Sequence, residues 1–100
     1  PSGQNIYPEE VETVLNSQQY VVDSLVIEDN GGLTALIYPD FPQGAKDGMK
    51  QDAFVKYMED RLSEWNSILP NYARLKKVEV MSEDFERTPK KSIKRYLYQR

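Results

Sequence analysis

Apolar and polar positions follow two rhythms along this chain. Val11, Val14 and Leu15 recur at three- and four-residue steps behind Pro8, which predicts a helix from Pro8 to about Asn16-Ser17. Pro8 suits a first helical turn, and Glu9, Glu10 and Glu12 favour the positive end of the helix dipole. Val21 to Glu28 is rich in β-branched and aliphatic residues, with Leu25, Val26 and Ile27 consecutive, and reads as a strand buried on both faces. Asp29-Asn30-Gly31-Gly32 reads as a hairpin turn, since these residues accept positive φ. Leu33 to Tyr38 is then the antiparallel partner strand, stopped by Pro39. Pro39 to Gly48, with two Pro and two Gly, reads as a loop. Phe54, Tyr57, Met58, Leu62 and Trp65 return to the helical rhythm and predict one long helix from about Lys50 to Asn66, closed by Pro70. Leu75 to Met81 alternates Val78 and Val80 inward with Lys77 and Glu79 outward, as a strand does. Ser82 to Pro89 is a connection. Ile93, Tyr96 and Leu97 predict a short final helix over Lys91 to Tyr98, docked on the body. Helix, hairpin, helix, strand, helix is an α+β order, satisfied by a three-stranded sheet with helices packed on it.

Composition narrows the chemistry. One hundred residues make one domain with one core. No Cys means no disulfide and no thiolate nucleophile, and no His removes the usual neutral-pH acid–base group. No run approaches the roughly 18 apolar residues of a membrane span, and a soluble, cytoplasmic protein is expected. Three carboxylates in four positions at Glu9, Glu10 and Glu12 are simplest as helix-end charges, and no metal site is expected. Charge is unevenly spread: residues 87–100 hold six basic side chains and no acidic one, whereas the preceding 86 hold seven basic against sixteen acidic. A basic tail of this kind suits a solvated face, a nucleic-acid patch in which Tyr96 and Tyr98 stack between cations, or a site for a small phosphorylated ligand. A sequence pI near 4.9 argues against nucleic acid, because the wider surface repels a polyanion.

The string Thr88-Pro89-Lys90-Lys91-Ser92-Ile93-Lys94-Arg95 resembles the closing motif of the adenylate-forming enzymes: acyl-CoA synthetases, amino-acid adenylation domains and luciferases. That motif runs Thr, three variable residues often ending in Gly, Lys, Ile, one variable residue, Arg. Ser2-Gly3-Gln4-Asn5-Ile6-Tyr7-Pro8-Glu9-Glu10-Val11-Glu12 resembles the run that opens the family's small C-terminal domain after its hinge. Tyr7 and the Asn66–Tyr72 stretch, with Leu69-Pro70, are most similar to long-chain fatty acyl-CoA synthetases. The resemblance covers essentially the whole chain, and a chain that opens at Pro1 directly on a family motif is expected to be a piece of something longer.

The resemblance implies a lid domain that closes over an N-terminal adenylation domain of the same polypeptide, then rotates so that CoA can enter. ATP, Mg²⁺ and the fatty acid would be held by that larger domain. It implies a catalytic Lys where this chain has Ser92, and Ser92 is neutral and short. Lys91, one position earlier in a loop of soft register, is the candidate to supply the charge; the alternative is a parent that has lost efficient adenylation. Gly3 is implied beside the pantetheine arm of CoA, where a Cβ would clash. Thr88 is implied to orient the loop, and Lys90, Lys94 and Arg95 to contact phosphates. Other adenylate-forming ligases, activating amino or aryl acids, stay open, as does a non-catalytic interaction domain that keeps only the fold.

Overall fold

The structure, a computed structural model, describes residues 7–100. Helix α1 (Pro8–Asn16) leads into the hairpin β1 (Val21–Asp29) and β2 (Gly32–Pro39). Asn30 and Gly31 both take positive φ, 52° and 79°, so the two-residue turn is of the kind whose twist matches its strands. Helices α2 (Phe41–Lys46), α3 (Ala53–Asp60) and α4 (Leu62–Ile68) follow, then β3 (Leu75–Val80). The sheet order is β1-β2-β3, with β1 antiparallel and β3 parallel to the central β2. The expected α+β class with a three-stranded sheet is the observed one.

Both faces of the sheet are covered, as the continuous apolar run in β1 requires. Val26, Ala35, Ile37 and Val78 pack with Leu15, Phe54, Met58 and Trp65 from the helices. Leu25, Ile27 and Leu36 face the other way and meet Phe85, Ile93 and Tyr98 from the C-terminal segment. Asn66 ties α4 to the start of β3: its amide donates to the Leu75 carbonyl at 2.8 Å and its oxygen accepts from the Leu75 N–H at 2.7 Å.

Three elements differ from the sequence reading. The expected loop from Pro39 to Gly48 contains α2, capped by the Asp40 carboxylate accepting from Gln43 N–H at 3.1 Å. Pro42 sits in its first turn and Gly44 lies against the Phe54 ring where a Cβ would collide, so the residues that argue for a loop are there for capping and close approach. The single long helix is two, because the chain tightens at Arg61, whose N–H bonds the Met58 carbonyl three residues back. The final α-helix is absent. Arg87 instead bridges Ile93 across an antiparallel turn, and only a 3₁₀ turn follows at Arg95–Leu97. Lys91, at φ 70°, departs from helical geometry at the first expected position. The tail is docked, but by Ile93 and Tyr98; Tyr96 and Leu97 are exposed.

Candidate functional site

Residues 86–94 form a small hairpin beyond Phe85. The Lys94 N–H donates to Glu86 O, Thr88 N–H to Ser92 O and Lys91 N–H to Thr88 O, each at 2.8 Å. Pro89, Lys90 and Lys91 make a three-residue loop whose third member takes the left-handed conformation, as such loops require. Glycine suits that place best. These bonds pin the register that the sequence leaves soft, so a one-residue slip bringing Lys91 into the place of Ser92 would break the ladder. Lys91 can reach a ligand beside Ser92 only by the length of its own side chain.

The six basic residues of the tail divide cleanly by type. All three arginines are committed to carboxylates of the body. Arg87 reaches Asp23 at 2.6 Å and Asp84 at 3.0 Å. Arg95 forms a two-pronged pair with Glu12, one prong at 2.9 Å. Arg100 meets Glu79 at 2.7 Å and Asp29 at 3.0 Å, and its guanidinium holds the Glu79 carboxyl down at about 2. Lys90, Lys91 and Lys94 have no carboxylate within ion-pair distance among the described residues. The arginines, with fork geometry matched to carboxylates, build the scaffold; of the lysines, flexible point charges, Lys90 and Lys91 are exposed and Lys94 is half-buried.

Glu12 is the buried member of this arrangement. Although it falls in an acidic helix start, its side chain is 7 % exposed and faces inward. One carboxylate oxygen accepts the Val26 N–H at 2.8 Å, which satisfies the outer edge of β1, and Arg95 closes over both oxygens. Asp23 accepts from Ser24 N–H at 2.9 Å and from Asn16 at 3.2 Å, besides Arg87.

Between hairpin and sheet edge lies an open cleft of about 310 Å³, lined by Glu12, Asp23, Arg87, Lys91, Ser92 and Arg95 among others. It brings three of the sequence-derived candidates together: Lys91, Ser92 and Arg95. Thr88 stands behind them, its hydroxyl accepting the Ser92 N–H at 3.3 Å. Lys90 and Lys94 lie on the hairpin but not on the cleft, and Gly3 is outside the described residues. Glu12, Asp23 and Arg87 escape the sequence reading as site residues. The one sequence signal for them is the charge split itself, a basic tail and an acidic body that neutralise each other across the fold. Among the described residues no cluster of acidic side chains is arranged to hold a metal ion, and no helix is long and apolar enough to cross a membrane.

The structure is thus a small α+β domain whose C-terminal hairpin is braced by arginines and carries three lysines. The chain belongs to the family of AMP-binding enzyme C-terminal domains, matching it over residues 1–100. Similar folds occur in a benzoate CoA ligase from Burkholderia xenovorans LB400 (TM-score 0.65, 14% identity, 96% of this chain and 19% of that one). MatB from Rhodopseudomonas palustris is alike at TM-score 0.66 and 23% identity, over 96% of this chain and 18% of that one. So is a Mycobacterium tuberculosis fatty acyl CoA synthetase, at TM-score 0.59 and 24% identity over the same shares. The chain thus spans less than a fifth of the length of these structures. No curated protein sequence matches it.

Proposed function

We propose that this domain is the C-terminal lid of an AMP-forming acid–CoA ligase whose acid is a long-chain fatty acid, working over an N-terminal adenylation domain of the same polypeptide. The observation that carries the reading is the hairpin: three lysines without carboxylate partners among the described residues, next to three arginines that are all engaged. Such a surface suits the phosphates of ATP and CoA, and it needs no basic domain around it. The preference for a long-chain acid rests on Tyr7 and the Asn66–Tyr72 stretch.

Adenylation brings an acid carboxylate against the α-phosphate of ATP and expels diphosphate; CoA thiol then displaces AMP from the acyl carbon. The first step sets anion against anion. A cation between the carboxylate oxygen and the phosphate lowers that barrier, since its attraction grows as charge concentrates in the transition state. In this chain the group that can do so is the Lys91 ammonium, carried on a stem long enough to project past Ser92. Thr88 and the hairpin ladder hold the backbone from which it projects. Lys90 and Lys94 add positive potential for the departing diphosphate or for the incoming CoA. Mg²⁺ would be held by the larger domain, as the family resemblance implies.

Acid-dependent ATP–diphosphate exchange by the intact protein tests this, run with long-chain, short-chain, aryl and amino acids. Exchange driven best by long-chain acids is the expected result, with none from residues 1–100 alone. Best exchange with an aryl or amino acid would move the substrate assignment, and no exchange with any acid would favour an interaction domain, the reading that Ser92 otherwise invites.

A further inference from the structure

Arg87 occupies a place that neither its charge nor its surroundings require for phosphate binding. Its three guanidinium nitrogens are all used: Nε donates to Asp84 at 3.3 Å, Nη2 to Asp84 at 3.0 Å and to Asp23 at 2.6 Å, and Nη1 to the Lys91 carbonyl at 3.0 Å. The last of these bonds is the informative one. The peptide that joins Lys91 to Ser92 is held from both sides, its carbonyl by Arg87 and its N–H by the Thr88 hydroxyl at 3.3 Å. Lys91 sits in the left-handed region, where a lysine is not at rest, and the orientation of this one peptide decides where both side chains project. Asp23 belongs to β1, whose core residues Leu25, Val26 and Ile27 are buried. Arg87 therefore runs as a strut from the rigid sheet to the hairpin tip.

We infer that Arg87 is a positioning residue for the adenylation half-reaction: through the Lys91 carbonyl and Asp23 it fixes the Lys91–Ser92 peptide, and so aims the Lys91 ammonium, relative to the sheet. This rests on the reading of Lys91 given above. A guanidinium is needed because one group must serve a carbonyl and two carboxylates in a planar fork; an ammonium at that site keeps the charge but cannot span all three. All three guanidinium nitrogens of Arg87 are taken by protein acceptors, so its action is through the hairpin rather than on substrate. Its removal should loosen the aim of the cation rather than the affinity for ATP, and a misplacement of about 1 Å in a catalytic group costs on the order of a hundredfold.

The test joins two measurements on Arg87→Ala and Arg87→Lys. In the intact enzyme, Arg87→Ala is expected to lower kcat of acyl-adenylate formation by roughly 10- to 100-fold, with KM for ATP and the thioester step from preformed acyl-adenylate both within about twofold. Arg87→Lys should recover only a small part. In the same protein, amide exchange read by peptide or residue should accelerate at Ser92 and Thr88 in Arg87→Ala while Val26 and Leu36 exchange as before. Loss of both half-reactions to the same degree, or a rise in KM alone, would overturn the positioning role, as would full recovery by Lys. Unchanged exchange at Ser92 would overturn the strut itself. A silent Lys91→Ala together with accelerated Ser92 exchange in Arg87→Ala separates the cases: the strut would stand, and the catalytic reading of Lys91, with the positioning role that depends on it, would fall.

Discussion

At the scale of single residues, Lys91 shows how one backbone angle links family pattern, stability and chemistry. Its φ of 70° places a long side chain where glycine is at ease, at a cost of about 1 kcal/mol. The adenylate-forming motif that this string resembles often carries Gly at the same point, and the turn explains why. Lys91→Gly should relieve the strain, partly offset by the greater freedom of glycine in the unfolded chain, for a net gain of roughly 0.5 kcal/mol. Thermal unfolding should show Tm rising by a few degrees. Adenylation in the intact enzyme should fall at the same time, because the ammonium is gone. A drop in Tm would mean that the hairpin does not impose the left-handed conformation. Ser92 shares the cleft but brings only a hydroxyl, and its backbone rather than its side chain is what the hairpin uses.

Elements are joined here by buried polar contacts as much as by apolar ones. Glu12 links α1, the open edge of β1 and the tail, through the Val26 N–H and Arg95. Glu12→Ala strands a buried donor and half-buries an unpaired guanidinium, so it should lower stability by about 1–3 kcal/mol. Glu12→Gln keeps an acceptor for Val26 and should lose less. Urea unfolding checks both, the midpoint falling while the slope stays near the parent value; equal stability in all three proteins would show that Val26 and Arg95 find water as readily. The elements legible in the sequence are those fixed by local chemistry. Asn30-Gly31 can only turn, α1 starts at a proline behind which apolar residues keep helical step, and the apolar run of β1 needs cover on both faces. What escaped depends on distant partners. Ile93, Tyr96 and Leu97 fit helical spacing, yet Ile93 pairs with Arg87 and packs on Phe85, which no local pattern announces. The parallel direction of β3 is likewise set by the path of α3 and α4 over the sheet, not by its own residues.

For the whole molecule, the three arginines of the basic tail and carboxylates of the acidic body form one set of ion pairs. Arg87 and Arg95 find partners 64 and 83 positions away, distances at which a sequence gives no pairing. The motif therefore pointed to Thr88 and Ser92, and reach and charge beside Ser92 to Lys91, while Glu12, Asp23 and Arg87 emerged only from the fold. With the arginines of the tail paired, its lysines are the cations the hairpin presents, and Lys91 alone of them lies on the cleft. Under the proposed function, this cation acts in adenylation and nowhere else. Separate measurement of the two half-reactions in the intact enzyme, for Lys91→Ala and Ser92→Lys, tests it most directly. Lys91→Ala should slow acyl-adenylate formation by on the order of a hundredfold or more through kcat. The thioester step from preformed acyl-adenylate should hardly change, and Ser92→Lys should add little, since one cation already fills the place. A silent Lys91→Ala with a strong gain in adenylation for Ser92→Lys would contradict the account, and so would equal loss of both half-reactions in Lys91→Ala.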